Sequence, residues 1–364
     1  MKPICFYHKA DLDGVCSAAI VKHFVPDCEL YGIDYGDEFP WDFVRPGPDA
    51  EASELWAHLF VPENGYRQGV NWESLRYERR TVYVVDFSLE PFADMERLAK
   101  VSELVWIDHH KTAIDAYNEA LGFDCPHEIM LQTKWAACEL CWYYFTGADL
   151  DDPAKEIPEA VRLLGTYDSW RKDDPEWDSK IMPFQYGCRS APGIYDPTAV
   201  AWPVLLSFMP PDKAGYTWYN FSADEQAKLD PAAVIRNDIG RLTADGKVIL
   251  EFAGQQNAKI AEAGAFELFI TTSQWLPEYT DEAKYRCIVL NTPVFNSQAF
   301  DSIYDAKKHD VMVPFAMMAN GKWKLSLYSE KPEIDCSLVA KAFGGGGHKG
   351  AAGFTCDKLP WRTS

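Results

Sequence analysis

The chain has 364 residues, 47% of them hydrophobic, a length that suits two domains with a sizeable core better than one. A formal net charge of −20 argues against a sequence-independent grip on long nucleic acid, which needs an extended basic surface, but leaves room for a small anion held in a local pocket. The ten cysteines show no pair of CxxC motifs, no apolar run approaches the ~20 residues of a membrane span, and the chain opens directly into a strand without an export signal. These features predict a cytoplasmic protein with buried, unpaired thiols.

Taken in order, Pro3 to Tyr7 reads as a buried strand that runs into His8-Lys9-Ala10-Asp11-Leu12-Asp13-Gly14, a polar loop. Val15 to Phe24 follows with helical spacing of its apolar residues, and Glu29 to Tyr35 reads as the next strand. Gly14 is expected to let the backbone turn closely around whatever Asp11 and Asp13 hold. Residues 36 to about 80 lose periodicity and carry prolines, glycines and tryptophans, the composition of an insertion packed onto the domain or of an aromatic lid.

Alternation then resumes. Thr81 to Val85 is a strand ending at Asp86, Pro91 to Lys100 a helix, and Glu103 to Ile107 a strand ending in Asp108-His109-His110. Thr112 to Leu121, Trp135 to Phe145 and Ile157 to Thr166 read as helices, the last leading into Gly165-Thr166-Tyr167-Asp168. Strand and helix taking turns over ~145 residues predict a doubly wound, mainly parallel α/β sheet. In such a sheet the strand ends carry the site.

Residues 171 to 240 are aromatic and proline-rich and fit no single element. Thr243 to Ala263 reads as a long bridging helix. Beyond it lie strands at Phe266 to Thr271, Cys287 to Asn291, Val311 to Met318 and Trp323 to Tyr328, then a helix, Cys336 to Phe343. The helix breaks into Gly344-Gly345-Gly346-Gly347-His348-Lys349-Gly350, where missing side chains would let backbone N–H groups approach an anion and His348 and Lys349 add positive charge. The expected organisation is therefore 1–190, a connection over 191–263, and a second, smaller α/β domain over 264–364.

Three strand ends rich in Asp and His point to divalent cations. Carboxylates converging without a cation repel one another and are driven to protonate, and a pair of bound ions removes that conflict. Carboxylate plus imidazole suits Mn²⁺ first and Mg²⁺ second, and differs from the thiolate-rich sets of structural zinc.

His8-x-x-Asp11-x-Asp13-Gly14, the strand ending in Asp86, Asp108-His109-His110, Asp168 after Gly-Thr-Tyr, and the Gly344–Phe354 run resemble, in this order, the motifs of the DHH phosphoesterases with their DHH-associated C-terminal domain. The resemblance implies two domains facing across a cleft, two divalent cations, and phosphodiester hydrolysis by a two-metal-activated water. Carried over by position, it implies that His8 and Asp11 hold one cation, that Asp13, His109 and Asp168 hold the other, and that Asp86 bridges them. Asp108 would orient His109, and His110 would face the scissile phosphate. In the second domain Gly344, Gly345, Gly346, Gly347, His348 and Lys349 would bind the far end of the substrate. One element departs from the nanoRNase-like pattern: Ser326-Leu327-Tyr328-Ser329 has Tyr328 where those members carry a phosphate-clamping arginine. A phenol there can stack on a base or donate one hydrogen bond, and Lys349 or Arg189 is left to supply charge.

The acidic balance favours linear dinucleotides and very short single-stranded RNA or DNA as substrate, over a RecJ-like exonuclease acting on long strands. An adenosine 3′,5′-bisphosphate phosphatase would use the same cations, and a non-catalytic nucleotide sensor is the binding-module alternative. No membrane partner is expected, and a homodimer is compatible with the sequence.

Overall fold

A computed structural model gives the protein's structure and describes residues 1–44, 79–120, 128–151, 157–199, 201–206, 239–276 and 282–361. It divides into two compact units, Met1–Lys247 and Val248–Ser364. Among the described residues no helix is long and apolar enough to cross a membrane. All nine described cysteines are free thiols, eight of them buried.

The first unit is built on five parallel strands in the order β2-β1-β3-β4-β5: β1 (Ile4–His8), β2 (Glu29–Ile33), β3 (Thr81–Val85), β4 (Glu103–Asp108) and β5 (Glu128–Leu131). Strand alternation splits β1 between two cores, since successive side chains point to opposite faces. Cys5 and Tyr7 enter one core with α1 (Leu12–Phe24), α4 (Ala137–Thr146) and α5 (Glu159–Asp168), and Ile4 and Phe6 enter the other with α2 (Ala93–Val101) and α3 (Lys111–Glu119). Helices on both faces explain why the inner strands are apolar at nearly every position. This is the doubly wound arrangement the alternation predicts, with every strand parallel.

Two local features differ from the sequence expectation. The stretch from Asp11 to Gly14 is not a loop: Asp11 caps α1, its carboxylate accepting from the Gly14 N–H at 3.0 Å, so Asp13 and Gly14 already lie in the first helical turn. Gly14 is needed there because a Cβ would stand 2.0 Å from the His8 carbonyl oxygen, which lets the helix start directly against the end of β1. β2 ends at Ile33, and Asp34 to Asp37 form a turn beyond it.

Of the predicted insertion, residues 45–78 lie outside the described residues. Its beginning packs onto the sheet, with the Phe39 ring tilted against that of Phe6 at 4.6 Å and Val44 buried. Within 171–206, α6 (Met182–Ser190) and α7 (Ala201–Leu205) are helical and bury Phe184 and Trp202 in the first core. The long helix α8 spans Ile239–Gly264.

The second unit carries a six-stranded mixed sheet in the order β10-β11-β9-β8-β7-β6. Its strands are β6 (Ala265–Thr271), β7 (Lys284–Asn291), β8 (Val311–Met317), β9 (Trp323–Tyr328), β10 (Gly346–His348) and β11 (Ala351–Cys356). Only β7 and β8 pair in parallel. Helix α9 (Cys336–Ala342) buries Val339 and Ala340 against one face, with Leu325 and Leu327. The glycine run is thus only partly a loop, because Gly346 to His348 pair with β11 as a hairpin strand.

Candidate metal centre

In the strand order 2-1-3-4-5, neighbouring β1 and β3 are followed by chain running in opposite directions across the sheet, the switch point at whose carboxyl ends open α/β sheets bind ligands. Every strand-borne residue of the site comes from that edge: His8 ends β1, Asp86 follows β3, Asp108 ends β4 and His109 follows it. Asp86 adopts φ 54°, a left-handed conformation that Asp tolerates better than most residues, and its amide donates to the Ile107 carbonyl at 2.9 Å. Backbone in this region costs on the order of 1–3 kcal/mol and concentrates at functional sites.

The side chains gather into overlapping groups. His8, Asp11 and Asp86 form one, Asp13, His109 and Asp168 a second, and Asp86 also lies with His109 and His110. His8 Nδ1 is 3.0 Å from Asp11 Oδ2 and 3.6 Å from Asp86 Oδ2. His109 Nε2 is 3.2 Å from Asp168 Oδ2, 3.3 Å from Asp86 Oδ1 and 3.6 Å from Asp13 Oδ2. Asp86, 1% exposed, therefore stands between the two histidines with one oxygen toward each.

These approaches are close, yet they are not hydrogen bonds. Both Asp86 oxygens, His8 Nδ1 and His109 Nε2 are buried without a hydrogen-bond partner among the described residues. Buried polar atoms are almost always paired, so lone pairs that converge without bonding need a shared acceptor of electrons. A divalent cation supplies that, and the buried Asp/His groups are able to hold one.

The protonation behaviour agrees. Burial pulls His8 down, but Asp11 and Asp86 outweigh it and push it up to about 11; in the same way Asp168 and Asp86 push His109 up to about 12 against burial. Burial, then Asp86 and Asp168, raises Asp13 well above the carboxylate range, and burial, then Asp11, raises Asp86. In a cation-free site, protons do the neutralising.

Asp13 and Asp168 are held from elsewhere in the domain. Asp13 accepts from the amides of Ala137 and Cys138, both at 2.8 Å, at the N-terminus of α4, where free N–H groups favour an anion. Asp168 closes α5, and the chain just after it is tied down by Arg171, whose guanidinium grips the fully buried Glu139 through both nitrogens at 2.7 and 3.0 Å. Glu139 also caps the start of α4 by accepting from the Ala136 amide at 3.0 Å. Gly165 is required opposite it, since a Cβ would lie 2.5 Å from the Glu139 carboxylate. Sequence reading misses Glu139 and Arg171, because a buried helix carboxylate and an arginine 32 residues later carry no local pattern.

Asp108 differs from the role implied for it. Its Oδ1 accepts from the His109 and His110 amides at 2.7 and 3.1 Å and lies 2.8 Å from His110 Nδ1, so the ring it holds is that of His110, not His109. A carboxylate that turns back to cap the next two amides is already placed beside the side chain two residues on. Burial would raise Asp108, but the hydrogen bond and charge of His110 hold it below its ordinary value. Burial lowers His110, while Asp108 and then Asp86 push it up to about 9.

In the second unit, a Cβ on Gly345 would stand 2.2 Å from the Gly353 carbonyl oxygen and one on Gly347 2.6 Å from that of Ala351, so both are glycine because the strands pass closely. Gly344 has φ 75°. At Gly346 a Cβ would meet nothing, and Lys349 beyond it is exposed. Ser326 is buried, and the Tyr328 hydroxyl donates to the Phe295 carbonyl at 2.6 Å. The structure does not describe the surroundings of the His348 side chain. In the first unit, the Arg189 guanidinium lies over the rings of Tyr167 and Tyr186.

No family model and no curated protein matches this sequence. Among solved structures, the chain is similar to an exopolyphosphatase-related protein from Bacteroides fragilis (12% identity, 98% of this chain and 88% of that one, TM-score 0.47). It is also similar to a pGpG-specific phosphodiesterase from Vibrio cholerae (11% identity, 97% and 93%, TM-score 0.37) and to an uncharacterized protein from Helicobacter pylori G27 (15% identity, 99% and 94%, TM-score 0.33). All three TM-scores lie below 0.5, which leaves the geometry of the centre as the ground for assigning a function.

Proposed function

We propose that this chain is a DHH-type, two-metal phosphodiesterase that hydrolyses linear dinucleotides and very short oligonucleotides. The observation that carries the reading is the set of four orphaned atoms on three residues, both Asp86 oxygens, His8 Nδ1 and His109 Nε2, converging at the carboxyl edge of a parallel sheet. His8 and Asp11 would hold one cation, Asp13, His109 and Asp168 the other, with Asp86 between. When bound, such ions supply positive charge that polarises a phosphate ester and acidifies water.

The chain's own residues complete the chemistry. Asp108, hydrogen-bonded to His110 Nδ1, keeps a proton on that nitrogen, and because Asp108 and then Asp86 push His110 up to about 9 against burial, the ring is doubly protonated near neutral pH and Nε2–H is also a donor. His110, half-buried beside Asp86, can place that proton on a phosphate oxygen or on the departing hydroxyl. Lys111 and the following helix start immediately after it, adding free N–H groups at the same edge. For the substrate's anionic end, Gly346 offers backbone that a ligand can approach, with Lys349 nearby in sequence. Tyr328 packs its ring against the cluster around Phe300 and gives its hydroxyl hydrogen to the Phe295 carbonyl.

A net charge of −20 supports a short substrate, whose few phosphates need no basic track. The test is incubation with dinucleotides, oligomers of two to twenty residues and adenosine 3′,5′-bisphosphate in Mn²⁺, with products resolved by mass. Fastest cleavage of long strands, release of phosphate from the bisphosphate alone, or tight binding without product would each replace the proposal with one of its rivals.

A further inference from the structure

The His8 ring has a third carboxylate neighbour, one outside the proposed ligands. On the side away from Asp11 and Asp86, its Nε2 lies 3.2 Å from Oδ1 of Asp34. Asp34 sits one residue past the end of β2, in the turn Asp34-Tyr35-Gly36-Asp37.

That turn is rigidly made. The Asp37 amide donates to the Asp34 carbonyl at 3.0 Å, and Gly36 supplies the φ of 91° that a type II turn demands at its third position. The Asp37 carboxylate accepts from the Asp34 amide at 3.1 Å and pairs with Lys9 Nζ at 2.5 Å, so the turn is stapled to the residue that follows His8. Lys9 in turn donates its amide to the Ile33 carbonyl at 3.0 Å. The Tyr35 amide fixes Asp34 Oδ1 at 2.8 Å, and the Tyr35 ring meets the His8 ring edge-on at 5.5 Å. Asp34 is thus oriented before any ligand arrives.

An ionised carboxylate can only accept, so the nitrogen facing Asp34 must carry the proton. In the neutral ring that cation binding requires, the other nitrogen, Nδ1, then keeps its lone pair, and Nδ1 is the atom left without a hydrogen-bond partner between Asp11 and Asp86 among the described residues. We infer that Asp34 is the positioning residue for His8: by taking the Nε2 proton it selects the tautomer and turns the Nδ1 lone pair toward a cation shared with Asp11 and Asp86. Metal-binding histidines are commonly oriented this way, and removing the orienting carboxylate typically weakens cation affinity about 10–100-fold. The inference rests on the two-metal reading of the centre and extends it to a residue outside the six proposed ligands.

Titration calorimetry of the cation-free full-length protein with Mn²⁺ provides the test, comparing wild type, Asp34→Ala and Asp34→Asn. Asp34→Ala is expected to weaken one of two sites by about 10–100-fold and leave the other unchanged. Asp34→Asn, which still offers an acceptor oxygen, should recover most of the loss. With ¹⁵N-labelled histidine and bound Mg²⁺, the His8 proton should be found on Nε2. Wild type that binds no Mn²⁺ overturns the centre and this inference together. Two-site binding in wild type with Asp34→Ala unchanged, with both sites weakened equally, or with the His8 proton on Nδ1 overturns the Asp34 inference alone.

Discussion

Replacing Asp86 by Asn is the sharpest perturbation of the centre. Asn fills the same volume, tolerates the left-handed backbone at φ 54° and removes only the charge. The first group, His8 with Asp11 and Asp86, drops from two carboxylates to one; the second, His109 with Asp13, Asp168 and Asp86, drops from three to two. At a cation concentration 100 times Kd, each wild-type site adds about 2.7 kcal/mol of stability. Two sites then add roughly 5 kcal/mol, or roughly 10–20 °C in Tm at ~2–4 °C per kcal/mol for a unit of this size. A 100-fold loss of affinity at each site leaves only about 0.4 kcal/mol per site, and the shift collapses to a few degrees. In chelator, Asp86→Asn should be at least as stable as wild type, since a carboxylate whose pKa is raised by burial and by Asp11 is disfavoured in its charged form. Thermal unfolding in EDTA and in Mn²⁺ reads both quantities. An Asp86→Asn protein that keeps more than half of the wild-type cation shift refutes the shared-ligand reasoning.

The same histidines set a pH dependence. His8 at about 11 and His109 at about 12 are raised above an unfolded value near 6.5, so their stabilising contribution is complete below pH 6.5 and drains away as pH climbs toward those values; Asp13 and Asp86, also raised, act in the same direction. In EDTA, Tm is therefore expected to fall from pH 6.5 to 9, and Mg²⁺ should flatten the profile; a cation-free Tm that rises across this window contradicts it. Arg171→Ala strands the buried Glu139 carboxylate and should cost about 3–5 kcal/mol in denaturant unfolding, largely recovered by adding Glu139→Gln. Gly345→Ala forces strands apart against the Gly353 carbonyl and should destabilise by about 1–3 kcal/mol, while Gly346→Ala, facing open space, should leave unfolding within about 1 kcal/mol of wild type. If Gly346 meets substrate, that silent variant raises KM for dinucleotides; unchanged KM removes Gly346 from the binding reading.

How much of the site the sequence discloses depends on the range of the interactions involved. The apolar runs that become β1, β3 and β4 end abruptly in His8, Asp86 and Asp108-His109, and a parallel sheet buried on both faces shows such ends without any knowledge of partners. β5, Glu128–Leu131, escapes because one exposed and three half-buried residues at a sheet edge carry too short a pattern. Asp34 escapes for a different reason. The sequence reading carries the strand from Glu29 through Tyr35 and so places Asp34 inside it, whereas Asp34 opens the turn beyond Ile33, and the His8 it approaches lies 26 positions earlier. The glycine run misleads by its uniformity: packing demands Gly345 and Gly347, backbone conformation accounts for Gly344, and only Gly346 is free of both.

Asp86 is the residue hardest to account for without a cation. It is a fully buried carboxylate, in a strained backbone conformation, with both oxygens unpartnered among the described residues and a second raised carboxylate, Asp13, nearby. Asp13 at least has two amides at a helix terminus; Asp86 has only histidine nitrogens that fail to hydrogen-bond with it. Left to itself, that arrangement costs several kcal/mol, and an apolar residue of similar size would fold better. The scaffold nevertheless places Asp34 behind His8, the α4 terminus behind Asp13 and the Glu139–Arg171 pair behind the chain that carries Asp168. Three separate supports that aim lone pairs toward one place, each drawn from a different element, describe a site organised for an incoming positive charge. Neutralisation by protons on His8 and His109 would explain the acidity of the surroundings, but it would not require their Nδ1 and Nε2 atoms to lie at non-bonding angles to the carboxylates they face.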